Sequence, residues 1–157
     1  MNQAEIFEKI RTNLSAQITD ISMPSPRRIF VSVAPEKLIE TLKILKDDFG
    51  FYHLSTISGL DKITGFEVLY HLANSFVSLT VRVQIDRAKP EIISICEVIP
   101  GAILYEREIQ DMFGIKVINI PDSRPLVLPD DWPEGEYPLR KDWNYQPPAE
   151  TIPGEEQ

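Results

Sequence analysis

Five apolar residues in strict alternation constrain this chain more tightly than any other feature of it. Val77, Leu79, Val81, Val83 and Ile85 alternate with Ser78, Thr80, Arg82 and Gln84. A period of two places the two sets on opposite sides of a pleated strand, one buried and one wet. Such a strand belongs to a sheet covered on one face only. Phe66 to Leu72, across Ala73-Asn74-Ser75, supplies its hairpin partner. Ile6, Ile10 and Leu14, with Phe7 beside them, recur at helical spacing and predict a helix over Gln3 to Ala16. Leu38, Leu42, Leu45 and Phe49 line a second helix, which Pro35 opens and Gly50 ends. Arg28 to Val33 reads as a strand, with Thr19 to Met23 pairing to it across Pro24-Ser25-Pro26. Tyr52 to Ile57 and Ile92 to Val98 read as strands, and Gly59 to Gly65 as a turn. Pro100 opens a final helix that Gly114 closes. The expected fold is α+β: a two-layer sandwich of a mixed or antiparallel sheet of about five strands, with helices on one face.

Charge and composition exclude several functions. Acids number 24 against 16 bases, a net charge of -8, which argues against a nucleic-acid or anionic-membrane surface. Cys96 is the single cysteine, so the chain alone builds neither a disulfide framework nor a site held by several thiolates. The longest apolar stretch, Ile92 to Leu104, is broken by Ser94, Glu97 and Pro100, and falls short of the roughly 20 residues a bilayer span needs. The N-terminal run shows no signal-peptide pattern. The expectation is a soluble intracellular protein that does not itself insert into a membrane.

Eight of the 13 prolines lie between Pro121 and Gln157, and this segment holds nine acids and three bases. The organisation expected is an α+β domain over 1–120 and an extended, proline-rich acidic tail over 121–157. The tail also carries Leu126, Val127, Leu128, Leu139 and both tryptophans. So much apolar surface argues for docking, with Trp132, Tyr137, Trp143 and Tyr145 as the anchors and both tryptophans buried against protein. Beyond Tyr145 the signal fades, and the last residues are expected to be mobile without a partner.

The search for chemistry yields little. Gly59 and Gly65 lack the lysine and the spacing of a phosphate loop. His53 and His71 fall in strands without a third ligand or a nucleophile partner, and local hydrogen bonding is their expected role. Cys96 sits in an apolar run, where a free cysteine is usually a small core residue. Glu106, Arg107, Glu108 and Asp111 form the one dense charged cluster, and on a helix Glu108 and Asp111 share a face. Paired carboxylates would suit a hydrolase, but Arg107 in the middle of the cluster favours ties to neighbouring segments. Glu106 and Glu108 are expected to bond backbone amides or bases such as Arg107, Arg124, Arg140 or Lys141.

From Tyr105 the chain reads YEREIQDMFGI, and later PDSRPLVLPDDWPEGEYPLRKDW. These stretches resemble the signature of the 30 kDa subunit of respiratory complex I (NADH-quinone oxidoreductase). Glu106, Arg107, Glu108, Asp111, Met112, Phe113, Gly114 and Ile115 match its first block. Pro121, Asp122 and Arg124 match the middle one, and Pro138, Leu139, Arg140, Lys141 and Asp142 the last. Gln110 stands where quinone-linked members usually have an aromatic residue, and Ile120 where a histidine is common. The Asp131-Trp132-Pro133-Glu134-Gly135 stretch is more similar to the homologous subunits of membrane-bound energy-converting [NiFe] hydrogenases. The resemblance implies a protein with no catalytic residue, metal or cofactor of its own. It implies packing against a hydrogenase-like large subunit, expected as a separate protein, and near a small iron–sulfur subunit. The place implied is the inner, cytoplasmic face of the cell membrane, in an ion-translocating oxidoreductase complex. The alternatives are the 30 kDa subunit of a NADH-quinone oxidoreductase proper and, from another class, a free-standing carboxylate-dependent hydrolase.

Overall fold

The computed structural model describes residues 2–145. Helix α1 (Gln3–Asn13) starts at a capping box, in which the Glu5 amide donates to Asn2 Oδ1 and the Asn2 amide donates to the Glu5 carboxylate. It ends short of the Ala16 read from the periodicity. Strands β1 (Ile18–Ser25) and β2 (Arg28–Val33) form an antiparallel pair. Pro35 opens a 3₁₀ turn over Pro35–Lys37, and helix α2 (Leu38–Phe49) follows, stopped by Gly50 at φ +70°. Strands β3 (His53–Asp61), β4 (Gly65–Ala73) and β5 (Ser78–Asp86) complete the sheet, in the order β1-β2-β5-β4-β3. Within it only β2 and β5 run parallel, so the sheet is mixed. Helix α3 (Ile103–Phe113) follows a 3₁₀ turn at Pro100–Ala102. Strand β6 (Glu91–Ile93), the start of the strand read at Ile92, pairs in parallel with β7 (Lys116–Ile118), which the sequence pattern does not show.

The alternation in β5 has the consequence expected of it. Leu79, Val81, Val83 and Ile85 are buried, as are their register partners Leu72, Tyr70, Val68 and Phe66 on β4 and Ile29, Val31 and Val33 on β2. Ile6, Ile10, Leu38, Leu42, Leu45, Ile109 and Phe113 of the helices join the same core. The other face carries Phe30, Ser58, Leu69, His71, Arg82 and Gln84, and the Arg82 guanidinium stacks 4.2 Å above the Phe30 ring.

Strand β1 runs two residues past Met23, to Ser25, and two other strand limits differ further from the sequence reading, each for a local reason. From Gly59, where the sequence predicts a turn, β3 continues as strand to Asp61. Gly59 is there for space: a Cβ at this position would lie 2.5 Å from the Phe113 ring, where α3 packs against β3. Strand β6 stops at Ile93, well before Val98, because a side chain of α3 captures the Ile95 amide. Residues 121–145 hold no helix or strand. They wind through turns closed by bonds from the Trp132, Arg140 and Trp143 amides to the carbonyls of Pro129, Tyr137 and Arg140.

Gly59→Ala should therefore displace the Phe113 ring and destabilise the fold by about 1–3 kcal/mol, the range for overpacking a well-filled core. Urea denaturation checks this; a midpoint equal to the wild type's would show that the ring yields without cost.

Candidate functional site

Helix α3 places charged residues on two sides. Glu106, Ile109 and Phe113 lie on its buried stripe, so a carboxylate occupies a core position. Glu106 is only 3% exposed. Its oxygens accept from Ser94 Oγ at 2.7 Å, from the Ile95 amide at 2.7 Å and from Cys96 Sγ at 3.3 Å. Burial pushes the Glu106 carboxyl above its ordinary range, and these three donors only partly oppose the rise. The bond to a backbone amide is the kind the sequence suggested; its partners are not bases. Burial likewise pushes the Cys96 thiol up, as befits a core cysteine.

On the side away from the core, Arg107 and Asp111 grip the main chain of the tail. Arg107 donates to the carbonyls of Arg124 at 2.8 Å and Pro125 at 3.0 Å, and lies 3.5 Å from the Asp122 carboxylate. Asp111 Oδ2 accepts from the amides of Leu126, Val127 and Leu128 at 2.8, 2.8 and 3.3 Å. Asp122 in turn holds Arg124 through both oxygens. That contact, with the Arg124 amide and Arg107, keeps its carboxyl far below the usual range. With the backbone held inward, Leu126 and Val127 turn outward, Val127 to 53% exposure. Glu108 corrects the sequence reading: it is exposed and makes no hydrogen bond or ion pair among the described residues. Since Asp111 is engaged by three amides, the two acids do not form a free carboxylate pair.

The last motif block caps α3 and fastens the tail to the sheet. The Leu139 amide donates to the Met112 carbonyl at 3.1 Å, and Arg140 Nε to the Phe113 carbonyl at 2.6 Å. These carbonyls would otherwise end the helix unpaired, and a cation there also suits the helix dipole. The Arg140 guanidinium lies 4.5 Å from the Tyr137 ring centre and 5.0 Å from that of Phe66. The Tyr137 ring rests on Gly114, whose φ is +66° and where a Cβ would lie 2.4 Å from the ring. The Lys141 amide donates to Asp61 Oδ2 at 2.9 Å. Asp61, at the end of β3, also accepts from the Ile63 amide and from Arg87, both at 2.7 Å, and Arg87 reaches on to Asp142 at 2.9 Å. Burial pushes the Asp61 carboxyl up, but the Lys141 and Ile63 amides and the Arg87 guanidinium outweigh it and bring it down to about 2.

Pro138 and Pro121 make no polar contact in this network. Trp132 and Trp143 are half-buried, packed on each other at 5.9 Å between ring centres rather than sunk into the domain, and Tyr145 lies 6.1 Å beyond Trp143. The residues after Tyr145, expected to be mobile, lie outside the described residues. His71 bridges Ser58 Oγ at 3.2 Å and Thr80 Oγ1 at 3.1 Å across three strands, and burial followed by Arg28 lowers its pKa. Among the described residues no three His, Cys, Asp or Glu side chains are grouped to hold a metal ion, and no helix is long and apolar enough to cross a membrane. Sequence reasoning missed Asp61, Arg87 and Ser94, which lie 80, 55 and 12 residues from Lys141, Asp142 and Glu106, their respective partners.

Comparison with known proteins agrees with these motifs. A family described as "Respiratory-chain NADH dehydrogenase, 30 Kd subunit" matches residues 31–149. The chain is 37% identical to the C component of F(420)H(2) dehydrogenase from Methanosarcina mazei, over 91% of its own length and 92% of the relative's. It is 37% identical to formate hydrogenlyase subunit 5 of Escherichia coli over 88% of its length, but spans only 26% of that protein. Among solved structures it is similar to a chain of the membrane-bound sulfane sulfur reductase, an archaeal respiratory membrane complex. The TM-score is 0.79 at 26% identity, covering 90% of this chain and 85% of the other.

Substitutions at two positions test the network. Asp61→Asn should cost about 2–3 kcal/mol, less than the roughly 3–5 of a fully buried pair, because Arg87 is partly exposed and keeps Asp142. Its folded pKa is depressed, so its contribution is complete above about pH 4 and fades as pH falls toward 2. The wild-type advantage over Asp61→Asn in thermal unfolding should shrink across that window; an unchanging difference would remove the charge from the account. Glu106 has the opposite sign. Its folded pKa is raised, so ionising it above the ordinary carboxylate range costs stability as pH rises through the folded value. Glu106→Gln should then be milder than Glu106→Ala, and should gain on the wild type as pH rises. Equal losses for both variants at all pH values would contradict this.

Proposed function

The chain belongs to the family of the 30 kDa subunit of respiratory-chain NADH dehydrogenase, and from that premise we propose that it scaffolds a membrane-associated, ion-translocating oxidoreductase complex. Its partner in this reading is the hydrogenase-like large subunit, with the small iron–sulfur subunit nearby, at the inner face of the cell membrane. It binds no cofactor and carries no catalytic residue; its work is to present a docking surface.

The observation that carries this reading is the direction of the tail. Arg107 and Asp111 bond its backbone, so Leu126 and Val127 face outward, and Leu139 is 54% exposed two residues after Tyr137 packs inward. Exposed apolar side chains on a fixed path suit a permanent interface, not a mobile appendage. The division into a domain over 1–120 and a docking tail over 121–157 follows from the same logic. Two relatives whose names denote different substrates, F(420)H(2) and formate, match 91% and 88% of this chain. A protein that holds others in place fits that spread better than one that performs the chemistry. The hydrogenase-type complex is favoured by the Asp131-Trp132-Pro133-Glu134-Gly135 stretch. A NADH-quinone oxidoreductase proper is the second reading, favoured by the matched family's own description.

Affinity purification of the tagged chain from native membranes, followed by mass spectrometry, tests the proposal. The large and small subunits should co-purify, and Asp111→Ala, which releases three backbone amides, should lower their recovery about tenfold or more. Recovery of the chain alone, or an Asp111→Ala complex of full strength, would overturn it.

A further inference from the structure

The outer aromatic residues of the tail form a further site beside the contacts of Asp61, Arg87 and Arg140 that latch the tail to the sheet, and share Asp142 with them. Trp132, Trp143 and Tyr145, with Glu136 and Asp142, line a cleft of about 590 Å³. The indole planes of Trp132 and Trp143 meet at 34° and the rings of Trp143 and Tyr145 at 54°, so the three rings open as a fan. Both indole N–H groups point to one residue: Trp132 Nε1 donates to the Glu136 carbonyl at 2.9 Å, and Trp143 Nε1 to Glu136 Oε2 at 3.2 Å. The indole edges are thereby fixed, beside a carboxylate whose Oε1 bonds nothing among the described residues. Asp142 adds a second carboxylate, engaged through one oxygen by Arg87.

Ring faces carry negative quadrupole and carboxylates carry full charge, so the cleft attracts a cation and repels an anion. Two carboxylates beside three rings are a poor set for a metal ion, which needs more oxygen ligands. A planar guanidinium meets both requirements, stacking on a ring while its N–H fork addresses a carboxylate. The chain already uses that pairing beneath the cleft, where Arg87 lies 4.9 Å over the Phe66 ring while bonding Asp61 and Asp142. Arg140 repeats the stacking over Tyr137 and Phe66. We infer that the cleft formed by Trp132, Trp143, Tyr145, Glu136 and Asp142 receives an arginine side chain of a partner protein. This rests on the docking reading above and assigns it a specific contact. The acidic excess of the tail supports a basic partner surface around that arginine.

Both tryptophans of the chain lie in the cleft, so tryptophan fluorescence reports on it alone. The full chain is titrated with N-acetyl-arginine amide and, as matched probes, the lysine and citrulline amides. Arginine should give a saturable change, lysine a weaker one and citrulline none, and Glu136→Gln should weaken the arginine response about 5–10-fold. A citrulline response equal to arginine's, or no effect of Glu136→Gln, would sink the assignment. The second arm is co-purification. Trp143→Ala and Glu136→Gln should lower recovery of the large subunit about tenfold, with Trp143→Phe restoring part of it. A wild-type complex that neither variant weakens overturns the cleft and leaves the docking reading standing; a wild-type chain that recovers no partner overturns both.

Discussion

The carboxylate of Asp61 is where the sheet and the tail become one body. It closes strand β3, accepts the Ile63 amide of the following turn, and takes the Arg87 guanidinium and the Lys141 amide. A buried carboxylate stays ionised only if donors replace its water, and three donors of this quality do so. Once Lys141 is fixed, its neighbours have no freedom of register. Arg140 must reach the Phe113 carbonyl, Tyr137 must lie on Gly114, and Asp142 must meet Arg87. The Pro-Leu-Arg-Lys-Asp run is compact because the contacts of Leu139, Arg140 and Asp142 flank one anchor at Lys141. Only Gly tolerates both the left-handed conformation and the approach of the Tyr137 ring at position 114.

The same principle governs α3. Glu106 holds the Ile95 amide, Arg107 holds two carbonyls, Asp111 holds three amides, and Arg140 returns from the tail to a carbonyl of the helix. Each of these four charged side chains addresses main chain. Bonds to a charged group are worth about 1.5–3 kcal/mol where the partner would otherwise be buried and unpaired. Main-chain bonds also fix a path without consuming side chains. A tail docked by its leucines and tryptophans would have hidden them; a tail docked by its amides leaves Leu126, Val127 and Leu139 on the surface. This inverts the usual reading of an apolar tail as one that packs on its own domain.

Periodicity revealed what depends on neighbours in sequence. The β4–β5 hairpin, the helix closed at Gly114 and the one-sided sheet were legible because alternation and capping are local signals. What depended on distant partners was not. Gly59 reads as a turn residue until Phe113 is seen against it, and a strand ended there leaves Asp61 outside the sheet. Ile92 to Val98 reads as a strand until Glu106 takes the Ile95 amide out of any ladder. Within the charged cluster, the sequence could not separate Glu106, which enters the core, from Glu108, which faces water. The two lie two residues apart, on opposite sides of a helix whose phase is set by Ile109 and Phe113.

Two kinds of cohesion therefore coexist in one chain and need not fail together. The sheet and helices are joined by side chains almost wholly removed from water, Val81, Leu79, Leu38 and Leu45 among them. Opening that core exposes apolar area at about 25 cal/mol per Å², and it gives way only globally. The tail is joined by polar contacts at its margins, among them the Arg87–Asp142 pair, whose carboxylate is 66% exposed. Regions with few buried apolar contacts open locally, at lower free energy than the whole. Between the two lie Phe66 and Phe113, in edge contact at 6.4 Å, with the guanidinium groups of Arg87 and Arg140 over the Phe66 ring. Phe66 is at once a residue of the core and the platform for the latch. Release of the tail takes Arg140 off that ring while Arg87, held by Asp61, and the apolar neighbours stay in place, so the tail can leave and the sheet remain; loss of the core takes the platform with it, and the tail has nothing left to hold.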